Sequence, residues 1–384
     1  LREVVAVKGV RLAVGVVALI AAVLGCGDDP NAIKIAVAGP FSGSAAAYGE
    51  MVKKGATLKA EEINAGGGIQ GRRVKLVFGD DGGDPKDAAT VATRFASDPT
   101  VPVVIGHFNS SCTLAGKPIY RDRGVVQLSP GSTNVNVCEG SEWTFRAIYR
   151  DDFQGMFLAR YAGRKLGFRK AAVFYDNDDY GTGLKTAFSQ EARRCSLRVV
   201  VEAGYPREAT DFTPALTAVK GSGVDVIFIA GLYREAALIT RQARKLGMAL
   251  PILGADGLAS PGYVELAKGD AEGTLLTTPF RFDAGGEKAQ AMLRAFRAKY
   301  QEDPDCWAAL TYDSVGLAAH VIAKVGTDRR AIREALAGMQ TREAGYEGVT
   351  GAIFFDANRE CQRPAYVSVI RGGAVVAAPV QMLE

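Results

Sequence analysis

The sequence predicts an α/β protein of two lobes, each a mainly parallel sheet flanked by helices. Three observations predict it. From residue 33 onward, short β-branched runs alternate with segments of helical period, as parallel strands joined through covering helices require. The same alternation starts again near residue 150. The chain's 384 residues also exceed the ~250–300 at which single cores stop growing and chains divide.

In the first series, strands are expected over 33–38, 74–78, 101–105 and 125–128, each an apolar run bounded by Gly, Asp or Pro. Val52, Ala56, Lys59 and Ile63 recur at helical spacing, and helices are likewise expected over 88–96 and 113–121. Gly66-Gly67-Gly68 stops the first helix, since glycine enters the left-handed backbone that helix ends use. The second series reads as a helix over 152–166, strand 171–175, helix 183–194, strand 198–202, helix 212–219, strand 224–230, helix 234–246 and strands 252–253 and 273–278. Helices over 288–300, 308–325 and 330–337 follow, then strands over 352–355 and 366–371. These last elements are too few for a third core. The helices are expected to return to lobe 1 (31–148 plus 280–345) and the strands to lobe 2 (149–279 plus 346–384). Repeated crossings of this kind make a hinge and leave a cleft.

Composition excludes several classes of function. Lys+Arg 46 against Asp+Glu 42 gives a net charge of +4 with no basic run, so no nucleic-acid partner is expected. His107 and His320 are the only histidines, too few for a His-rich metal site or a ready catalytic triad, and no metal or cofactor is expected. An enzyme would need a nucleophile with its base, and neither histidine sits in such a motif. His107, directly after a strand, reads as a packing or hydrogen-bonding residue. Gly66-Gly67-Gly68-Ile69-Gln70-Gly71 follows a helix and precedes a strand, the reverse of a dinucleotide-binding loop.

Residues 1–25 read as an export signal: Arg2, Lys8 and Arg11, then an uncharged apolar run over 12–25. That run is shorter than the ~20 residues a spanning helix needs. Val23-Leu24-Gly25-Cys26 resembles the bacterial lipobox, so Cys26 is the expected lipid attachment and the mature protein is expected on the periplasmic side, held to a membrane surface. Cleavage at an ordinary site and a buried apolar strand are the alternatives. Export would permit oxidation of Cys112, Cys138, Cys195, Cys306 and Cys361, either as structural disulfides or as buried thiols; the odd count leaves one unpaired.

Ligands of open parallel sheets bind beyond the carboxyl ends of strands, which directs attention to 39–49, 106–113 and 129–134. Ser110 and Ser111 precede a helix, whose N–H groups and dipole attract an anion such as a carboxylate. Thr133 offers further donors. Alternatively, Ser110 and Ser111 only cap the helix.

Gly39–Gly49, Gly66-Gly67-Gly68-Ile69-Gln70-Gly71, Asp80-Asp81 with Asp84-Pro85, Ile105-Gly106-His107 and Ser129-Pro130-Gly131-Ser132-Thr133-Asn134 together resemble the leucine/isoleucine/valine-binding family, the branched-chain amino-acid type of periplasmic substrate-binding protein. Asp179-Tyr180-Gly181, Gly231-Leu232-Tyr233 and Gly254-Ala255-Asp256-Gly257 extend the resemblance into the second lobe. It implies a periplasmic-binding-protein type I fold with three hinge crossings, and a monomer that binds a small molecule, an amino acid, and serves the membrane permease of an ABC transporter. It implies that Ser110 and Thr133 hold the ligand carboxylate, and that the Gly131 carbonyl, the Thr133 hydroxyl and Asp256 receive the ammonium. Tyr48, Tyr180, Leu232 and Tyr233 would line the side-chain end or shut the cleft, and Ser111 and Ser132 complete the expected ligand-binding set. Asp256 could instead be a plain Asp-Gly turn residue.

The chain departs from the family pattern in two ways. Family members of the best-known type have a Cys pair where this chain has Gly83 and Asn109, and an aromatic residue and a longer acid where it has Leu232 and Asp256. The zwitterion-binding logic survives these changes, whereas side-chain specificity does not follow from it. The alternative function is a ligand-sensing protein of the same fold recognising amides, urea or aromatic acids.

Overall fold

The computed structural model describes residues 29–382; the expected export signal and Cys26 lie outside the described residues. The first series is β1 (Ile33–Gly39), α1 (Ala46–Ala65), β2 (Val74–Asp80), α2 (Pro85–Ser97), β3 (Val103–Ile105), α3 (Ser110–Asp122), β4 (Val126–Ser129) and β5 (Thr144–Arg146). Its strands are all parallel, in the order β2-β1-β3-β4-β5. The strands β1, β3, β4 and β5 are almost wholly buried, as expected where helices cover both faces of a parallel sheet.

The second series comprises α4 (Asp151–Arg160), β6 (Lys170–Asp176), α5 (Asp179–Arg194), β7 (Arg198–Tyr205), α6 (Thr213–Lys220), β8 (Val226–Ala230), α7 (Tyr233–Lys245), β9 (Ile252–Gly254), α8 (Pro261–Ala267) and β10 (Leu275–Thr278). Its parallel strands run β7-β6-β8-β9-β10, which repeats the plan of the first sheet. The chain continues as α9 (Glu287–Tyr300), α10 (Cys306–Val325), α11 (Arg329–Ala337), β11 (Tyr346–Gly348), β12 (Gly351–Ile353), β13 (Tyr366–Arg371) and β14 (Ala374–Ala377). α10 and α11 pack back on the first sheet, while β13 and β14 join the second, antiparallel, beyond β10. The chain therefore passes between the sheets three times: after β5, after β10 and before β13.

One helix crossing positions the site. α10 is buried almost all round and lies on α1. A Cβ on Gly55 of α1 would stand only 2.2 Å from the Ala308 carbonyl oxygen, so the two backbones touch because residue 55 has no side chain. Tyr48 lies two turns earlier on α1 and Trp307 one residue before Ala308; the crossing brings both to the same place.

Three expectations change. The helix expected from 183 starts at Asp179, because Asp178 caps it by accepting from the Gly181 N–H at 2.8 Å, and Tyr180 thereby enters the first turn. The helix expected over 152–166 ends in a π-helical turn over Tyr161–Lys165. The strand expected over 352–355 does not return to the second sheet: β12 pairs with β11 in a hairpin, and β11 packs beside α10. Cys112, Cys138, Cys195, Cys306 and Cys361 are buried thiols with no disulfide between them.

Candidate functional site

In both sheets the strand order reverses beside the first strand, between β1 and β3 and between β6 and β8. Ligands of open α/β sheets bind beyond the carboxyl ends of the strands at such a switch point. A cavity lies there. Tyr48, Phe108, Asn109, Ser110 and Gly131 line it from loops and helix starts of the first sheet; Tyr180, Leu232, Asp256 and Gly257 line it from those of the second. Trp307, at the start of α10, completes the wall. The space is about 300 Å³ counted to its open side, of which about 20 Å³ is wide enough for the centres of water molecules. The walls stand close together.

One pole suits an anion. Ser110 opens α3, and Asn109 at the N-cap makes no side-chain capping bond. The unsatisfied N–H groups and the dipole of a helix start attract negative charge. The Ser110 hydroxyl accepts from the Asn134 N–H at 3.2 Å, and the Thr133 hydroxyl is buried without a partner. Arg146 fixes this loop from behind. Its guanidinium, fully buried, donates to the carbonyls of Ser132 and Asn134 (3.3 and 2.8 Å) and forms a two-bond pair with Glu360, one bond of which is 2.7 Å.

The opposite pole suits a cation. Asp256 follows β9 and is 2% exposed; its Oδ1 accepts from the Tyr180 hydroxyl at 2.7 Å, while Oδ2 has no partner. Burial pushes its carboxyl up to about 6, with the Tyr180 hydrogen bond and the nearby polar groups of Gln154 and Tyr149 pulling the other way. At neutral pH the carboxylate is charged and short of one partner.

The apolar end is aromatic. Tyr48 stacks on Phe108 at 4.9 Å between centroids, and Trp307 meets Phe108 edge-on at 4.9 Å. Gly131 allows this, since a Cβ there would sit 2.5 Å from the Phe108 ring. The same residues tie the two halves together. Tyr48 donates its hydroxyl hydrogen to the Gly257 carbonyl and accepts from the Tyr233 N–H at 3.0 Å, and the Trp307 indole donates to the Ala259 carbonyl at 2.8 Å.

Of the residues expected from sequence, Tyr48, Ser110, Gly131, Tyr180, Leu232 and Asp256 line the cavity. Thr133 lies buried behind the wall with its hydroxyl unpartnered. Ser111 turns away to donate to Asp179 at 2.6 Å. Ser132 shares a hydrogen bond with Thr113 and donates to the His107 and Phe108 carbonyls. Tyr233 meets the Tyr48 ring edge-on rather than the cavity. Sequence reasoning missed Phe108, Asn109, Gly257 and Trp307. A signal existed for the last: Asp305 caps α10, accepting from the Trp307 N–H at 3.0 Å, and thus sets a rare large aromatic at a helix start. His107 is wholly buried between Asp81 (2.6 Å) and Tyr120 (3.2 Å), away from the lining.

The family pattern described as "Periplasmic binding protein" matches residues 32–374. A Pseudomonas aeruginosa protein named "Amino acid binding protein" is 36% identical over 268 residues, covering 68% of this chain and 72% of its own. The "Leucine-, isoleucine-, valine-, threonine-, and alanine-binding protein" of the same organism is 32% identical over 328 residues, 85% of this chain and 86% of its own. Among solved structures, the branched-chain amino acid transporter substrate binding protein LivJ from Streptococcus pneumoniae, in complex with isoleucine, superposes with a TM-score of 0.86 at 34% identity, covering 91% of this chain and all of the other.

Proposed function

The chain belongs to the periplasmic binding protein family, and from that premise we propose that it is the solute-binding component of an ABC importer, trapping an aliphatic amino acid between its lobes for delivery to a membrane permease. In this reading it performs no chemistry on its ligand. The observation that carries it is the pairing of poles across one cavity: an uncapped helix start with Ser110 on one side, a buried carboxylate with a spare oxygen on the other.

The roles follow. Ser110 and the Thr133 loop receive the ligand carboxylate; the Gly131 carbonyl, the Thr133 hydroxyl and Asp256 receive the ammonium; Tyr48, Tyr180 and Leu232 surround the aliphatic side chain. An ammonium leaving water requires a carboxylate and further acceptors, or desolvation outweighs the attraction. The lobes are taken as 31–148 with 280–345 and 149–279 with 346–384, except that the hairpin at 346–353 packs with α10 on the first. Export, with lipid attachment at Cys26, places the mature monomer at the outer face of a membrane.

A thermal-shift screen of the twenty amino acids with small amides, urea and aromatic acids tests the reading, because a ligand bound only by the folded form raises its melting temperature. Aliphatic amino acids are expected to stabilise. Hits restricted to compounds lacking either charge would overturn the assignment of the poles.

A further inference from the structure

Buried polar atoms without partners gather beside the cation pole. They are the Thr133 hydroxyl beside Asp151, the Tyr149 hydroxyl just before α4, both carboxylate oxygens of Asp151 and the Gln154 side-chain nitrogen on α4, Asp256 Oδ2, and the Thr277 hydroxyl on β10. Buried polar groups in folded proteins are nearly always hydrogen-bonded, so a cluster of exceptions calls for an explanation. Asp151 is the least expected member, fully buried with neither oxygen satisfied. Its backbone N–H donates to the Thr133 carbonyl at 2.8 Å, which sets its side chain next to the loop that carries the Thr133 hydroxyl. Gly183 on α5 closes the other side, where a Cβ would stand 2.9 Å from the Asn134 side-chain nitrogen and at ordinary contact, 3.7 Å, from Asp151 Oδ2.

The charges do not balance. Asp256 lies near enough to disfavour the ionisation of Asp151; burial is the larger cause holding Asp151 well above the usual carboxylate range, and the Asp256 charge adds to it. The cation that acts on Asp151, Arg146, is already committed to Glu360 and to the Ser132 and Asn134 carbonyls. A buried acid ionises readily only beside a partner of opposite sign, and here the protein places two acids near each other without, among the described residues, a cation free to serve them.

We infer that Asp151 is a second acid serving the ammonium pole, acting through the Thr133 hydroxyl, and that this pole admits only ligands carrying a positive charge. Asp151 accepts the Thr133 hydroxyl hydrogen, which turns the hydroxyl's lone pairs toward the ammonium, and the arriving positive charge favours the ionised form of Asp151 that burial disfavours in the free protein. Asp151 is thus a positioning residue. Amides and urea, which are neutral, and aromatic acids, which are anionic, leave the pair uncompensated and are rejected. This inference rests on the amino-acid reading above and narrows its substrate class.

The test is calorimetric titration of the wild type and Asp151→Asn with leucine, or whichever amino acid the thermal screen returns, and with its α-hydroxy counterpart, which lacks the positive charge. Asp151→Asn is expected to weaken the amino acid at least about tenfold and the hydroxy acid less than about twofold, with no fall in the melting temperature of the free protein. Equal weakening of both ligands, or amino-acid affinity within about twofold of wild type, overturns the inference. Asp151→Ser is the second variant should Asn not fold; failure of both to fold assigns Asp151 to the core and overturns it as well. A wild type that binds no amino acid overturns the functional reading itself, a different result from any variant effect.

Discussion

Replacing Asp256 by Asn tests the cation pole in two independent ways. The amide keeps the shape of the side chain, and its oxygen still accepts from the Tyr180 hydroxyl at Oδ1; only the charge goes. Removing one partner of a buried charge pair costs about 2–5 kcal/mol, so amino-acid affinity should fall roughly 30-fold to several thousand-fold. The free protein should respond in the opposite direction. Burial raises the Asp256 carboxyl from 3.8 to about 6, so the folded state binds more protons than the unfolded state across that window. Stability from this group therefore declines as pH rises from 3.8 to about 6 and stays reduced above it, by about 3 kcal/mol at neutral pH. Asp256→Asn removes that penalty. Urea unfolding of the ligand-free variant should show a gain at pH 7.5 that vanishes below pH 4, while calorimetric titration at pH 7.5 shows the loss of binding. Affinity within about threefold of wild type, or a stability loss independent of pH, would refute the assignment of Asp256 as the ammonium's partner.

The same carboxyl sets a pH dependence for binding: below about 6 the apparent Kd should weaken about tenfold per pH unit as protons compete with the ammonium, and a flat profile from pH 4.5 to 8 would contradict it. Tyr48→Phe removes the hydroxyl that bonds the Gly257 carbonyl and the Tyr233 N–H across the cleft. Leaving those buried groups unmet costs about 1–3 kcal/mol, so affinity should drop roughly 5- to 150-fold with the choice of ligand unchanged in titrations across aliphatic amino acids. The five described cysteines are buried thiols, so the melting temperature should be the same with and without dithiothreitol, and a fall on reduction would show that a disulfide exists.

The parallel strands were legible because apolar runs with Gly, Asp or Pro at their ends are local patterns, and strand ends in such a sheet carry the ligand loops wherever helices cover its faces. Of the lining residues, Ser110 follows from that geometry, whereas Tyr48, Gly131, Tyr180, Leu232 and Asp256 were expected from the resemblance to the leucine/isoleucine/valine-binding family. Side-chain direction followed from neither. Ser110 and Ser111 are equivalent on paper, yet one residue of helical rotation, about 100°, sends Ser111 to Asp179 instead of the cavity. Ser132 and Thr133 differ likewise, since the turn after β4 points Ser132 back at the His107 and Phe108 carbonyls.

By itself, then, the sequence determined the two lobes, their strand ends and the acid placed after β9, all of which depend on patterns a few residues long. Only the tertiary structure decided that Trp307 stands edge-on beside Tyr48 in the same wall of the cleft, more than two hundred residues away along the chain, because that meeting depends on α10 touching α1 where Gly55 has no side chain. It also decided that the Asp151 carboxylate is buried beside the Thr133 loop and short of hydrogen-bond donors. Whether a polar atom is satisfied depends on every group that surrounds it after folding, and those groups come here from Thr133, α4, β9 and β10.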